Sequence, residues 1–395
     1  MQSKPIQVVH IIEGFLGGTS TYFCAVLPQL VQRGFEVTLI CSLNRCEPNA
    51  PALISKLRDS GVTVHIIPMQ REINPLKDIY LLIIILRLLL KNKYDIVHTH
   101  CSKAGAIGRI AAVLAGKKIR MHTPHCFAFL RCRNQFGRWI YLTLEQLLGK
   151  LTTKFVVVSC SEMDTTIRYH ITAGHKCIVV NNSLSRNSVS TKTSDIIKAS
   201  FGIAKNTRVV STACRLVDYK GLFRFIEAAK FSRAHDTVFL IAGDGKLKDS
   251  IERFICKEKL NSKVRFLGYI PDMESIYAIS DIIALCSDAE AQPYLLLEAM
   301  RAKCPIVATL VTGNKDLISP NETGVLTDLK SESIAESIDQ LLANRKKRRE
   351  YSQKAYNYFL KHHLLEDQVS KLTKIYKNCI VDRNCQYAAT KLTTK

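Results

Sequence analysis

The sequence lacks the patterns typical of several common protein classes. Its fourteen cysteines are scattered without a C-x-x-C pair, which argues against a zinc site or a disulfide framework. The first residues run into an apolar strand without a secretory leader, so we expect free thiols in a reducing compartment. There is no G-x-G-x-x-G and no lysine-bearing phosphate loop, so a dinucleotide or ATP site has no fingerprint here. No segment repeats with a period typical of a solenoid.

Acidic residues are also scarce. The chain of 395 residues has 34 Asp and Glu against 56 Lys and Arg, a formal net charge of +22. Such a surplus indicates an anionic partner, which could be nucleic acid, anionic lipid or a phosphorylated small molecule. The chain has no known nucleic-acid-binding motif, so nucleic-acid binding is the weakest of these alternatives, and we expect no nucleic-acid partner.

A long hydrophobic run is missing as well. The most apolar segment, residues 79–90, is interrupted by Arg87 and is shorter than the roughly twenty residues that a bilayer span needs. This composition excludes a membrane-spanning helix. It favours a buried helix, and a helix that lies on a membrane surface is the alternative.

Short β-branched runs alternate with helix-length segments through most of the chain, a pattern typical of parallel sheets covered by helices on both faces. The predicted strands of the first half are Ile6–Ile12, Glu36–Cys41, Val62–Ile67, Asp95–Thr99, Ile119–Thr123 and Phe155–Ser159. Those of the second half are Val209–Ala213, Val238–Ala242, Val264–Leu267, Ile282–Cys286 and Ile306–Thr309. The sequence therefore predicts an α/β protein with two doubly wound, Rossmann-like domains.

Composition also suggests the domain boundaries. We expect an N-terminal domain over 1–183, a linker rich in Ser and Thr over 184–194, and a C-terminal domain over 195–345. Residues 346–395 should form C-terminal helices with a frayed tail. Open α/β sheets bind ligands at the carboxyl ends of their strands, so we expect both domains to face one central cleft.

The first half has two groups of candidate residues. Gly17 and Gly18 follow the first strand, where backbone N–H groups at a helix start can approach an anion. Histidines cluster near the ends of two strands. His125 lies just past a strand end and should face the cleft, whereas His98 should lie in the core. Carboxylates are absent from this group, so we do not expect a metal site.

The second half offers more specific candidates. Arg215 and Lys220 flank a turn after a strand, where two cations can clamp a diphosphate. Gly243 lies in a tight turn at the same sheet edge. Glu290 and Glu298 follow another strand, with Glu298 inside a helix whose N-terminus favours phosphate. Ionised carboxylates accept hydrogen bonds from paired sugar hydroxyls, so this group predicts a nucleotide sugar.

These motifs resemble the GT-B glycosyltransferases of glycosyltransferase family 4. The resemblance covers almost the whole chain and is strongest at Arg215…Lys220-Gly221, Gly243-Asp-Gly245 and the E-x7-E pair Glu290/Glu298. The stretch from Asp95 to Gly105 is similar to the subgroup that builds capsule, exopolysaccharide and O-antigen. Where the family often has Gly-Phe-Gly after its first glutamate, this chain has Ala291-Gln-Pro293.

The resemblance implies a role for each residue that matches it. Arg215 and Lys220 would hold the donor diphosphate, and Glu298 the ribose. Glu290 would contact the donor sugar as a catalytic residue, with His125 beside it. Gly17 and Gly18 would lie beneath the phosphates or the sugar of the donor, and Gly243 would line the donor site.

The function that follows from the resemblance is retaining transfer of a sugar from a nucleotide-diphosphate sugar to a lipid-linked or polysaccharide-precursor acceptor. No D-x-D occurs in the chain, so we expect no cofactor and no metal requirement, with cations and helix termini neutralising the leaving group. A nucleotide-sugar 2-epimerase of the same fold is the alternative enzyme.

A basic segment in the first domain suggests where the enzyme acts. Arg131, Arg133 and Arg138 lie among bulky aromatic residues, a mixture suited to a headgroup interface. In the resembled subgroup the acceptor is a lipid-linked diphosphate. We therefore expect a cytoplasmic protein attached peripherally to the inner face of the membrane, with these arginines on its acceptor and membrane face.

Overall fold

The computed structural model describes residues 4–70, 72–132, 134–187 and 193–393, with side chains as far as residue 383. The described chain divides into two compact units. The first contains the residues up to Asn182 together with those from Leu365 onward, and the second is Ser183–Leu364. Of the expected linker, residues 188–192 lie outside the described residues.

The first unit is a seven-stranded parallel sheet with helices on both faces. Its strands are β1 (Gln7–Ile11), β2 (Glu36–Cys41), β3 (Thr63–Ile66), β4 (Ile96–His100), β5 (Ile119–Thr123), β6 (Lys154–Val157) and β7 (Cys177–Val179). Its helices are α1 (Gly18–Gln32), α2 (Ala50–Asp59), α3 (Pro75–Lys91), α4 (Ser102–Leu114), α5 (Gln135–Leu151) and α6 (Cys160–Arg168).

The strand order of this sheet is β3-β2-β1-β4-β5-β6-β7. The order reverses between β1 and β4, which pair in register so that His10 lies opposite His98. Helices α3, α4 and α5 pack on one another, and α1 packs on α2. Buried aliphatic residues from β1, β4, α3 and α4 form one core cluster beneath the first of these layers. This topology brings the carboxyl ends of β1 and β4 together at the switch point.

The second unit repeats this architecture with six parallel strands in the order β10-β9-β8-β11-β12-β13. Its strands are β8 (Arg208–Ala213), β9 (Thr237–Ala242), β10 (Val264–Gly268), β11 (Ile282–Leu285), β12 (Ile306–Thr309) and β13 (Val325–Thr327). Its helices are α7 (Ser194–Ser200), α8 (Leu222–Phe231), α9 (Lys248–Lys257), α10 (Met273–Ile279), α11 (Tyr294–Arg301), α12 (Asn314–Leu317), α13 (Ser331–Ala343) and α14 (Arg345–His362).

The C-terminal helices do not form a separate tail. Helix α14 belongs to the second unit because its buried Tyr351, Ala355 and Phe359 pack towards α11 and α13. The last helix, α15 (Leu365–Thr393), belongs to the first unit and packs on α1 and β5. The C-terminal helices predicted over 346–395 therefore belong to two different units, because different cores bury them.

Helix α3 also differs from its prediction as a buried helix. It buries only one stripe, Leu81, Ile85 and Leu89, against the core of the first domain. Apolar side chains such as Ile79 and Leu90 remain exposed on its other faces. Among the described helices, none has both the length and the continuous apolar surface that crossing a bilayer requires.

Candidate active site

In the second domain, four predicted residues lie beside the switch point of the sheet. Arg215 and Lys220 follow β8, and Glu290 and Glu298 follow β11. Strands β8 and β11 are neighbours in the sheet, so their carboxyl ends open onto the same crevice. The predicted association of these two segments is therefore what the topology produces.

Lys220 and Glu290 form a mostly buried ion pair. The Nζ of Lys220 lies 2.5 Å from Oε1 of Glu290, and the two side chains are 14% and 9% exposed. Burial by itself lowers the pKa of Lys220, but the Glu290 carboxylate and the nearby Tyr219 and Cys214 outweigh it and raise that pKa above its usual value. The lysine is therefore a fixed positive charge. Sequence reasoning found both residues but not their pairing.

Hydrogen bonds hold the two loops that carry this pair. Arg224 donates to the carbonyl of Cys286 at 2.6 Å and to the carboxylate of Asp288 at 2.9 Å. The backbone N–H of Asp288 donates to the carbonyl of Tyr219 at 2.8 Å. Arg215 donates to the hydroxyl of Tyr219 at 2.6 Å. These contacts join the loop after β8 to the loop after β11 and limit their independent motion.

Two glycines permit close approach at this sheet edge: Gly243 between the loops after β9 and β8, and Gly221 between the loops after β8 and β11. Gly243 has φ +138°, and a Cβ there would lie 1.9 Å from the carbonyl oxygen of Cys214. Gly221 has φ +66°, and its Cβ would lie 1.8 Å from the carbonyl oxygen of Cys286. A side chain at either position would push the loops apart. Gly243 therefore shapes the sheet edge where the donor site was predicted.

Glu298 lies in the second turn of α11, which begins at Tyr294. Pro293 is the residue before the helix, and its ψ of 130° is extended. The hydroxyl of Tyr277 donates to the Glu298 carboxylate. Burial and the Glu298 charge raise the pKa of Tyr277 well above its usual value, so the phenol remains a donor at neutral pH. Tyr277 was missed because it lies on a different helix, α10.

In the first domain, the Gly17-Gly18 turn lies at the N-terminal end of α1. A carboxylate of the protein itself, Glu47, contacts this helix end. Gly17 has φ +59°, and its N–H donates to Oε1 of Glu47 at 2.6 Å. The hydroxyl of Ser20 also lies 3.0 Å from this oxygen. The prediction that this turn attracts an anion is physically sound, but sequence reasoning missed Glu47, which is thirty residues away and carries no motif.

A second carboxylate lies near the same sheet edge. Glu13 follows β1 and accepts the N–H of Ala104, at the start of α4, at 3.1 Å. Burial raises the pKa of Glu13, although this hydrogen bond and the charges of Arg131 and Arg45 act to lower it. Arg131, one of the arginines predicted for the membrane face, is half-buried. Its positive charge acts on the Glu13 carboxyl group.

Five histidines, His10, His98, His100, His122 and His125, form what we call the histidine cluster. His10 and His100 are 3.0 Å apart between Nδ1 and Nε2, and His100 and His125 are also 3.0 Å apart between Nδ1 and Nε2. Burial lowers the pKa of every member, to about 3 for His10 and about 4 for His125. The cluster is therefore neutral at pH 7. His98 lies in the core, as predicted.

Three members of the cluster meet the spacing of a metal site. One nitrogen each from His10, His98 and His100 lie within 4.8 Å of one another. The ring nitrogens of these residues already have hydrogen-bond partners among His100, His125, Thr123 and Tyr376. The geometry is thus accounted for by hydrogen bonding between neutral rings.

The predicted membrane segment is divided between core and surface. Two of the aromatic residues near the predicted arginines, Phe127 and Phe129, belong to a buried cluster, so the expectation of an interface is wrong for these two. Phe136 and Trp139 are 66% and 61% exposed, and their rings stack at 6.2 Å. Arg138 is exposed beside them and donates to the hydroxyl of Tyr169 at 2.9 Å. Arg133 lies outside the described residues.

Family models cover both domains. Residues 16–185 match Glycosyltransferase Family 4, and residues 193–358 match Glycosyl transferases group 1. The UDP-Gal:alpha-D-GlcNAc-diphosphoundecaprenol alpha-1,3-galactosyltransferase of Escherichia coli is 30% identical over 332 residues, which cover 82% of this chain and 84% of the relative. The chain belongs to glycosyltransferase family 4. The prediction of a glycosyltransferase is confirmed, and these relatives give the epimerase alternative no support.

Other relatives of this family 4 glycosyltransferase agree. The capsular polysaccharide biosynthesis glycosyltransferase CapM of Staphylococcus aureus is 24% identical, over 70% of this chain and 75% of its own. The solved structure of Anabaena HepE in complex with UDP and glucose superposes with a TM-score of 0.81 at 19% identity, over 94% of this chain and all of the other. The latter likeness confirms the GT-B type of fold predicted from the sequence.

Proposed function

We propose that this family 4 glycosyltransferase moves a hexosyl group from a UDP-sugar to a saccharide that is linked through diphosphate to a polyprenol, with retention of anomeric configuration. The observation that carries the proposal is the match along 84% of an Escherichia coli enzyme whose name specifies UDP-Gal and a diphosphoundecaprenol acceptor. The arrangement of charged residues in the second domain supports the same donor class.

The second domain supplies the groups that a nucleotide diphosphate needs. Arg215 and Lys220 lie at the carboxyl edge of the sheet, and the Glu290 carboxylate raises the pKa of Lys220 above its usual value. Glu298 can accept from the paired ribose hydroxyls while Tyr277 orients it. Charge that develops on the leaving diphosphate is then stabilised by fixed cations, without a divalent metal.

The pairing of Glu290 with Lys220 limits what Glu290 can do. Oε1 of Glu290 is 2.5 Å from the ammonium group, so its charge is already partly neutralised, and its reactivity as a nucleophile is lowered. A positioning role towards the donor sugar fits better. Retention then proceeds by same-face displacement, in which the leaving diphosphate helps to deprotonate the acceptor hydroxyl.

The contact with Glu47 favours one of the two roles expected for the Gly17-Gly18 turn. Because Glu47 occupies the N–H of Gly17, a phosphate at this position would meet a negative charge instead of free donors. Sugar hydroxyls are neutral and can donate to the carboxylate. We therefore assign this turn to a sugar and not to phosphate.

Donor identity is tested first by thermal shift with UDP, GDP, ADP and a panel of UDP-sugars. UDP and at least one UDP-hexose should raise the melting temperature, because a ligand that binds only the folded state stabilises it. Glu298→Gln should reduce the shift, whereas Glu322→Gln, an exposed carboxylate of the same domain, should not. A shift by GDP or ADP but not by UDP would contradict the proposed donor.

Transfer is tested with a synthetic GlcNAc-diphospholipid acceptor and the UDP-hexose that gives the largest shift. NMR coupling at the new anomeric carbon should show the configuration of the donor. An inverted linkage would contradict retention. Conversion of the donor without any acceptor would instead indicate epimerisation.

We also propose that the outer surface of α3, α4 and α5 contacts an anionic bilayer, where a polyprenol-linked acceptor is found. The three helices form one layer and expose bulky apolar side chains to solvent. These are Leu76, Ile79, Tyr80, Ile83 and Leu90 on α3, Leu114 on α4, and Phe136, Trp139, Leu144 and Leu147 on α5. An apolar area of this kind, combined with exposed cations, is suited to an interfacial position.

Buried cations do not contribute to this surface. Arg109 and Glu145 form a buried ion pair of 2.8 Å between α4 and α5, so neither affects a membrane. Exposed cations on the layer include Lys77, Lys91, Arg138 and Lys150. At about 1 kcal/mol for each cation near anionic lipid, three or four suffice to hold the protein at the surface.

Co-sedimentation with vesicles tests this surface. Binding should occur with phosphatidylcholine mixed with phosphatidylglycerol, should be weaker with phosphatidylcholine alone, and should fall as salt screens the charges. Phe136→Ser combined with Trp139→Ser should reduce binding. Phe231→Ser, at an exposed aromatic residue of the second domain, is the matched control. Equal sedimentation with both vesicle types, or with neither, would contradict the proposal.

A further inference from the structure

The histidine cluster connects the last helix of the chain to His125 by hydrogen bonds. The hydroxyl of Tyr376, on α15, lies 2.7 Å from Nδ1 of His98 and 3.4 Å from Nε2 of His10. From His10 the contacts continue to His100 and then to His125, each at 3.0 Å. Tyr376, His10, His98 and His100 are all fully buried.

Two arrangements of protons satisfy this chain of contacts: one in which Tyr376 donates to His98, and its reverse, in which Tyr376 donates to His10. The contact lengths of 2.7 Å to His98 and 3.4 Å to His10 favour the first. Each neutral imidazole has one donor nitrogen and one acceptor nitrogen, and a phenol has a single proton. At 2.7 Å, the contact with His98 has the length of an O–H donor, so Tyr376 donates to Nδ1 of His98. Nε2 of His98 then carries the proton and donates to Oγ1 of Thr123 at 2.9 Å, a usual N–H···O distance.

The second contact of Tyr376 sets the direction of the remaining chain. Since its proton is used on His98, its oxygen accepts from Nε2–H of His10. Nδ1 of His10 must therefore accept from Nε2–H of His100, and Nδ1 of His100 from Nε2–H of His125. Within the described part of the chain, Nδ1 of His125 has no hydrogen-bond partner.

We propose that Tyr376, acting through His10 and His100, holds His125 as its Nε2–H tautomer, so that Nδ1 presents a lone pair to a substrate hydroxyl. The tautomer rests on the assignment of Tyr376 as the donor in its 2.7 Å contact with His98; its use towards a sugar hydroxyl rests on the proposed function. Tyr376 is thus a positioning residue that reaches the site from the end of the chain. Burial disfavours charging of every ring in the path, which keeps the arrangement neutral.

Nitrogen-15 NMR of histidine-labelled protein tests the tautomer directly. In the wild-type protein, Nδ1 of His125 should resonate as an unprotonated and Nε2 as a protonated imidazole nitrogen, with His125→Gln used for assignment. Observation of an Nδ1–H tautomer would overturn the proposal. This measurement needs no substrate, so its result does not depend on whether the donor and acceptor have been identified correctly.

The variant Tyr376→Phe removes the hydroxyl and keeps the ring. His10 then loses the partner that fixes its tautomer, and His125 should become a mixture of both forms. Tyr94→Phe, which removes another mostly buried phenol of the first domain, should leave the spectrum unchanged. An unchanged His125 spectrum in a folded Tyr376→Phe variant would show that Tyr376 does not control it.

Two further measurements test the proposal: the steady-state kinetics of Tyr376→Phe and the titration of the wild-type protein with Zn²⁺. For Tyr376→Phe, kcat for transfer from the UDP-hexose should fall by up to about tenfold, while KM for the donor stays within about twofold, because one neutral hydrogen bond is redirected. A purely structural role would change both constants or neither. Titration with Zn²⁺ should leave the wild-type spectrum unchanged. Metal-shifted resonances of His10, His98 and His100 would overturn the proposal and make the cluster a metal site.

Discussion

The two domains have nearly the same sheet topology but different kinds of polar groups at the switch points of their sheets. At the switch point of the first domain, neutral imidazoles bond to one another and to Tyr376. At the switch point of the second domain, charged groups pair across loops, as Lys220 does with Glu290. At these two sheet edges the buried polar groups are stabilised differently: the imidazoles of the first stay neutral, and the charged groups of the second form an ion pair.

This difference is consistent with two kinds of ligand group. Neutral donors and acceptors suit hydroxyls, whose recognition depends on direction more than on charge. Fixed cations suit a diphosphate, whose charge must be balanced during departure. One fold therefore provides two chemically distinct surfaces because different side chains follow equivalent strands.

The largest expected effect is that of acidification, which should lower the stability of the first domain. The histidine cluster has lowered pKa values in the folded state, about 3 for His10 and about 4 for His125, against about 6.5 in an unfolded chain. Below pH 6.5 the unfolded state binds protons that the folded state cannot. Stability is thus fully present above that pH and should fall by about 1.4 kcal/mol per histidine per pH unit below it.

Urea unfolding at pH 7.5 and pH 5.5 measures this loss, which should reach several kcal/mol. Burial raises the pKa of Glu13, so its protonation stabilises the folded state as the pH falls. This one group opposes the five histidines and does not cancel their effect. His175→Gln, at an exposed histidine, should keep the same pH dependence. Equal free energies of unfolding at the two pH values would show that the cluster is not buried in its neutral form.

Removing one partner of the Lys220–Glu290 ion pair should lower the stability of the second domain and its affinity for UDP. Lys220→Met leaves the carboxylate of Glu290 buried without its cation, which should cost about 3 kcal/mol of stability. Lys220→Met with Glu290→Gln should recover most of that loss, since no unpaired charge remains. Neither variant should regain the diphosphate contact, so UDP binding should stay weak in both.

The matched control is another ion pair of the same domain. Arg301 and Glu274 lie 2.6 Å apart and are also mostly buried. Arg301→Met should destabilise the domain without a comparable loss of UDP affinity, as measured by calorimetry below the melting temperature. If Lys220→Met binds UDP as the wild-type protein does, the diphosphate role of Lys220 is wrong.

The two glutamates sharpen the comparison within the second domain. Glu298→Gln should mainly raise KM for the donor, because ribose contacts act alike in the ground and transition states. Glu290→Gln should mainly lower kcat, because charge develops at the donor sugar. Each loss should be about ten- to a hundredfold, from 1.5–3 kcal/mol for a charge-assisted hydrogen bond. Wild-type kinetics in both variants would exclude these roles.

The smallest expected effect is that of chelation. If Arg215 and Lys220 balance the diphosphate, initial rates of transfer should be the same with and without EDTA. Rates measured after dialysis, with Mg²⁺ or Mn²⁺ restored in a parallel sample, provide the check. Activity that depends on either ion would mean that fixed cations do not suffice.

Local patterns predicted most of the two sheets. Buried parallel strands are continuous apolar runs, and those over Glu36–Cys41, Ile119–Thr123 and Ile306–Thr309 have the predicted bounds. The edge strands Cys177–Val179 and Val325–Thr327 were missed, because three residues carry too little periodicity to be recognised. Their positions depend on pairing with β6 and β12.

The sequence by itself determined the fold class, the family and the segments that carry the second-domain site, because apolar periodicity, glycine turns and the E-x7-E spacing are local. Only the tertiary structure decided that Lys220 pairs with Glu290, that Glu47 occupies the N–H of Gly17, and that Tyr376 reaches the histidine cluster. These contacts join residues about 30 to 280 positions apart, so they depend on strand order and helix packing, which no short window of sequence contains.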